Sequence, residues 1–241
     1  MNGRILPEKY RFISGSALKV LAITCMLIDH IAYSLLASNP IPLFTVFGKQ
    51  ITLYSFMRLI GRLAFPIYAF LITEGARYTR SRIRYGVSLL AFALLSEIPW
   101  DLLYHGVLWY ASSQNVFFTL FLGFACIWLY EGLQEKRVLQ ICAILTVLLA
   151  SLLLHADYGI TGVCFILLLY ALRDHELLRD AVGIGVLSSK WKAGLAFIPL
   201  AFYNGKRGFI KGPVFKYAFY LFYPAHLLIL YWIKQRLGIY G

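Results

Sequence analysis

The sequence predicts an all-α, polytopic transmembrane bundle of about eight or nine spans, with its N-terminus in the cytoplasm. Three observations predict it. Apolar runs of about 15–20 residues recur along the chain, the length a helix needs to cross hydrocarbon. The composition is 60% hydrophobic and only 14% charged, far more apolar than a soluble domain. Basic residues gather in alternate segments between the runs, as the positive-inside rule requires. In lipid the backbone must satisfy itself, so runs of this length mean helices rather than a barrel. The net charge of +12 is then a matter of topology. A lipid bilayer is the expected partner, and nucleic acid is not. No soluble domain and no clear internal repeat is evident, so residues 1–241 read as one membrane unit.

A basic lead with Arg4, Lys9 and Arg11 opens the chain. The first span, Ala17–Leu36, carries Lys19 near its start and Asp29-His30 well inside it. The segment 37–52, with Asn39-Pro40-Ile41-Pro42, reads as a loop. Span two runs over about 53–73 and a basic segment with Arg77, Arg80, Arg82 and Arg84 follows. Span three, about 86–104, holds Glu97 and Asp101, and the next loop has no Lys or Arg. Spans four and five cover about 116–130 and 138–155, separated by the charged turn Glu131–Arg137. A short span six follows at about 160–172, and the last span lies at about 214–234. Between residues 177 and 213 the number of helices stays open. Cys25, Cys126, Cys142 and Cys164 all fall in apolar runs without metal spacing, so they read as small buried hydrophobes and no metal is expected.

Ionisable groups in hydrocarbon cost about 2.5–3.5 kcal/mol each and are rarely there without a role. Lys19 and His30 are eleven positions apart, about three turns, so one helix face presents a cation and a base about 16 Å apart. Asp29-His30 reads either as an interior polar pair or as a general base, since imidazole titrates near neutral pH. Neighbours on a helix point about 100° apart, which turns Asp29 toward Arg58 or Arg62. Glu97 and Asp101 share a face at i and i+4. They read as a kink with salt bridges to Arg58 and Arg62, or as the acceptor of a substrate ammonium, or as a second base. Pro99 between them frees a backbone carbonyl. Gln114, Asn115 and Asp157 fall at the outer side, and His226 lies in an aromatic-rich final span. The basic segments set topology or hold phosphates, and Asn204-Gly205-Lys206-Arg207-Gly208 offers a phosphate loop.

The blocks LKVLAITCMLIDHIA, RLIGRLAFPIYAFLITEGARYT, SEIPWD, QNVFFTL, ADYG, NGKRG and KYAFYLFYPAHL together resemble the TraX family. They run from residue 18 to 227, nearly the whole chain. Lys19-x10-His30 is also distantly similar to the basic-x10-His element of the membrane acyltransferase-3 group, with Lys here in place of the Arg common there. The TraX family's named activity is N-terminal acetylation of conjugative pilin. The resemblance implies an acetyl-CoA-dependent N-acetyltransferase, multi-pass in the bacterial plasma membrane.

By matching position the base is His30, with Asp29, Glu97 and Asp101 completing the catalytic set. Lys19, Arg58, Arg62, Arg77, Arg80, Lys206 and Arg207 would serve the acyl-CoA, with Arg58 or Arg62 at the oxyanion. Gln114, Asn115, Asp157, Tyr158 and His226 would serve an amine-bearing acceptor such as a pilin or peptide N-terminus. The rival readings are a small proton-coupled transporter, although no paired inverted halves are evident, and a non-catalytic pilus-assembly membrane protein.

Overall fold

The computed structural model describes residues 5–239, so Arg4 lies outside the described residues. The chain is mostly helical. Helix α1 (Gly15–Ile31) starts at Ser14, whose hydroxyl accepts from the Ala17 N–H. Two further N–H groups at its start, Gly15 and Ser16, donate to the carbonyls of Lys206 and Arg207 at 2.8 and 2.9 Å. The loop 204–208 therefore serves as a cap for α1. The helix continues through a π-helical turn, Ala32–Leu36, where Ser34 Oγ donates to the His30 carbonyl at 2.6 Å. Widened turns of this kind recur at functional sites.

Residues 37–52, expected as loop, contain an antiparallel hairpin of β1 (Pro42–Val46) and β2 (Lys49–Thr52). Phe47 and Gly48 form its tip, both at positive φ (48° and 76°), the backbone a two-residue turn demands. Thr52 and Ser55 then make a reciprocal capping box for α2 (Leu53–Gly61). After Arg62 and Leu63 the chain resumes as α3 (Ala64–Tyr78). Pro66 explains the interruption, since it has no N–H for the Arg62 carbonyl. Helix α4 (Arg82–His105) carries Pro99 inside it and ends on a left-handed Gly106. Asn115 caps α5 (Val116–Gly132) by accepting from the Phe117 N–H at 3.0 Å. Helices α6 (Arg137–Leu153), α7 (Gly159–Ala171) and α8 (Glu176–Val186) follow. A 3-10 stretch, Ser188–Ala196, leads into the short α9 (Phe197–Ala201). The final α10 (Pro213–Arg236) packs along α4.

Four stretches are long and apolar enough to cross a membrane: Gly15–Leu36, Leu53–Tyr78, Arg82–His105 and Val214–Arg236. Helices α5 and α6 have 17 residues each and α7 has 13. At 1.5 Å per residue, 17 residues reach about 25 Å, short of a hydrocarbon core of about 30 Å. Between residues 177 and 213, where the number of helices stays open in the sequence, lie most of α8, the 3-10 stretch and α9.

Helices α3, α5 and α7 build the dry part of the core around Phe65, Phe124, Phe165 and Ile166. Gly123 lets α5 approach α7, because a Cβ there would lie 2.4 Å from Ile166 Cδ1. Helices α1, α2, α4 and α10 enclose the polar part. The cysteines divide: Cys25 and Cys126 are buried as expected, while Cys164 is only half-buried and Cys142 is exposed on α6.

Candidate active site

His30 sits in the last turn of α1, buried to 7% exposure. Its ring lies edge to edge and nearly coplanar with that of His226 from α10, with centroids 4.9 Å apart and planes within 4°. His30 Nδ1 lies 2.6 Å from His226 Nε2. His226 Nδ1 in turn lies 2.7 Å from the Phe222 carbonyl, one helical turn back. Tyr104 of α4 and Tyr223 of α10 meet the His30 ring edge-on at 6.1 and 6.0 Å. Tyr104 is itself stacked between Tyr33 and Trp100. Aromatic rings thus wall the imidazole pair on the α4 side, where edge and face contacts hold orientation.

Asp29 points away from His30, as the helical 100° step requires. It forms an ion pair with Arg58 of α2. Arg58 also lies over the Tyr33 ring at 5.6 Å. The approach depends on Gly61, where a Cβ would fall 2.0 Å from Asp29 Oδ1. The expected bridges from Arg58 and Arg62 to Glu97 and Asp101 are not formed. Glu97 accepts from the Asn115 side chain and backbone, and Asp101 Oδ2 accepts from the Tyr110 N–H at 2.7 Å. The reason is azimuth: α2 turns its arginine to α1, whereas Glu97 and Asp101 face the start of α5 and the loop before it.

These acidic groups remain half-satisfied. Asp29 Oδ1, Glu97 Oε1 and Asp101 Oδ1 are buried without a hydrogen-bond partner, as are Ser96 Oγ and Trp100 Nε1. Buried orphan polar atoms are rare in native proteins, and each calls for a specific explanation. Glu97 is 2% and Asp101 0% exposed. The proposed acceptor residues gather next to them. The Gln114 N–H donates to the His155 carbonyl at 3.0 Å and the Asp157 N–H donates to the Gln114 carbonyl at 3.1 Å. Tyr158 stacks on Phe65 with centroids 3.5 Å apart. Asn115 holds Glu97, and Asp157 is on the surface. His226, expected to serve the acceptor, instead contacts His30.

The basic residues form a second cluster at the opposite end of α1. Arg207 and Lys216 stand close enough to Lys19 for their charges to act on it. Lys216 Nζ reaches Ser88 Oγ at 3.4 Å and lies over the Tyr217 and Tyr220 rings. Among the described residues, no carboxylate is within ion-pairing distance of Lys19, Arg207 or Lys216. The loop 204–208 presents its cationic side chains outward, but the Lys206 N–H is taken by Asn204 Oδ1 at 2.9 Å. It offers charge rather than the full set of backbone donors the sequence suggested. Arg77 and Arg80 are exposed, Arg77 over the Tyr78 ring. Arg62 ends α2. Sequence reasoning missed Lys216 and Tyr104. A lysine in the first turn of the last span was the available signal for the former, and spacing gave none for the latter.

Fold and site together define a helical membrane protein with a buried imidazole pair, half-satisfied carboxylates and a separate cationic cluster. The chain belongs to the TraX protein family, whose model matches residues 14–234. It is similar to the probable fimbrial assembly protein FimC, serogroup H1, of Dichelobacter nodosus, at 29% identity over 245 residues, covering 90% of this chain and 94% of the relative. No solved structure matches.

Proposed function

We propose that this protein is a membrane-embedded N-acetyltransferase of the bacterial plasma membrane. It moves acetyl from cytoplasmic acetyl-CoA to an amine presented on the outer side. One observation carries the reading: α1 joins an unpaired cationic cluster around Lys19 to a buried imidazole, His30, about 16 Å further along its axis. Anionic phosphates suit the first end, and general-base chemistry suits the second. A pantetheine arm spans a distance of that order. The basic segments put the Lys19 end in the cytoplasm, where acetyl-CoA is made.

His30 takes the proton of the attacking amine as its nitrogen bonds to the thioester carbonyl carbon. Arg58 or Arg62 stabilises the oxyanion. The C–S bond then breaks, and the proton passes from His30 to the departing sulfur, so amide and free thiol are the products. Glu97 and Asp101, with their unpartnered oxygens, hold the incoming ammonium, which gives one proton to water at the outer side and so becomes the neutral amine that attacks. The word fimbrial in the name of the FimC relative, with the pilin acetylation that the TraX resemblance implies, supports a pilin or peptide N-terminus as the acceptor class.

The test uses purified protein in nanodiscs, radiolabelled acetyl-CoA and peptides with free or blocked N-termini. Label should enter the free amine, and His30→Ala should lower the rate by about 10²–10⁴-fold. Vesicle uptake driven by pH without label transfer would indicate a transporter instead. Intact pilus assembly in a His30→Ala strain would indicate a scaffold.

A further inference from the structure

We infer that His226 is a positioning residue: it fixes His30 as the tautomer protonated on Nδ1, so that the Nε2 lone pair is the base. The inference rests on the acetyltransferase reading. The Phe222 carbonyl can only accept. At 2.7 Å from that oxygen, His226 Nδ1 must carry the proton. A neutral imidazole then has a lone pair on its other nitrogen. His226 Nε2 accordingly accepts, and the donor at 2.6 Å is His30 Nδ1–H.

The reverse arrangement needs His226 to carry both protons. That would place a full cation on a residue only 4% exposed, with Arg58 near the pair, and burial of an unpaired charge is costly. The assignment leaves His30 Nε2 free to act, since no hydrogen bond among the described residues ends on it. Neutral imidazoles are held in one tautomer by such a partner on the far nitrogen.

In the reaction the amine proton goes to His30 Nε2. The resulting imidazolium is stabilised through Nδ1–H and His226 to the Phe222 carbonyl, and the same proton leaves Nε2 for the thiolate. His226 touches neither substrate. Asp29, next to His30 in sequence and occupied by Arg58, cannot perform this task. The relay therefore explains why a second histidine is buried 196 residues away in sequence.

The test compares His226→Phe, which has no acceptor, with His226→Gln, whose side-chain carbonyl can still accept from His30 Nδ1–H. In nanodiscs His226→Phe should lower kcat by about 10²-fold, within the range of general-base effects, with KM for acetyl-CoA unchanged. His226→Gln should recover about tenfold of that loss. Ring-nitrogen NMR of 15N-histidine-labelled wild type should place the His30 proton on Nδ1. Wild-type kcat in His226→Phe, no rescue by Gln, or a proton on His30 Nε2 would each overturn the inference. Should neither variant fold, the wild-type spectrum decides alone. Wild type that transfers no acetyl overturns the enzymatic reading and the positioning role with it, while the spectrum still reads the direction of the bond.

Discussion

Two sets of basic residues, in the connecting segments and in the first turns of the spans, are treated differently. Arg11 is held by Glu176 and by the Leu6 carbonyl. Arg82 is held by Glu131, which also accepts from the Tyr170 hydroxyl. Arg179 pairs with Asp180 at 2.6 Å and lies over the Phe70 ring. Lys19, Arg207 and Lys216 have no carboxylate in reach among the described residues. The first set has its charge matched inside the fold and ties segments distant in sequence together. The second keeps its charge uncompensated, although Lys19 is half-buried and has two other cations for neighbours. Like charges brought together without a counter-charge raise the free energy of the empty protein and lower it on binding an anion. Paired cations should therefore govern stability, and unpaired ones donor affinity.

The largest effect expected from that division is at Asp180. Asp180→Ala would leave Arg179, only 6% exposed, as a buried charge without its partner. Breaking such a pair costs about 3–5 kcal/mol. Thermal unfolding in detergent should show the loss, with acetyl transfer per folded molecule unchanged. A variant as stable as wild type would remove the distinction at its strongest point.

Next comes the unpaired set. Lys216→Ala combined with Arg207→Ala should raise KM for acetyl-CoA by about tenfold, the equivalent of one charge-assisted hydrogen bond of about 1.5 kcal/mol. kcat and the unfolding temperature should stay put. The KM effect should shrink with added salt, as screening of exposed charge requires. Equal KM in wild type and variant would mean that the cluster serves topology alone.

Much of this arrangement was legible in the sequence, and the failures have physical causes. Lys19 and His30 stood out because hydrocarbon penalises them, and their common face follows from helical pitch. Asn115 was placed correctly at the opening of span four, where it caps α5. The partner of Asp29 was narrowed to Arg58 or Arg62, and Arg58 is the one it meets. The Glu97 and Asp101 bridges failed because residue depth is readable from hydropathy whereas helix rotation is set by packing, here by Gly61 against Asp29. The hairpin at 42–52 was missed because its turn is Phe47-Gly48 rather than Asn-Gly or Asp-Gly, and its strands have only five and four residues. The His30–His226 contact spans two ends of the chain. No local pattern encodes it.

A smaller effect is expected from the Arg11–Glu176 pair, and its pH dependence has a definite sign. Burial alone would raise the Glu176 carboxyl, but the hydrogen bond from Arg11 and its charge outweigh this and hold it below the ordinary glutamate value. The folded pKa is thus depressed. The stabilisation is fully present above the unfolded glutamate value, about 4.3, and is lost as pH falls through the lower folded one. Unfolding followed from pH 7 downward should show about 1 kcal/mol disappearing in that acidic window. Glu176→Gln should flatten that part of the curve.

The smallest effect belongs to Arg173 and Asp174, which meet at 3.9 Å with Asp174 68% exposed. Formally it is a pair like the others. In water the Coulomb gain at such a distance is about 1 kcal/mol before side-chain ordering is subtracted, and exposed pairs often contribute nothing measurable. Arg173 is also anchored otherwise, donating to the Tyr170 carbonyl at 2.9 Å and lying over its ring. Asp174→Asn should therefore shift stability by less than about 0.5 kcal/mol and leave both kcat and KM alone. A loss as large as that of Asp180→Ala would show that burial is not what separates structural pairs from incidental ones. The comparison between paired and unpaired cations would then have to be rebuilt on position in the bundle.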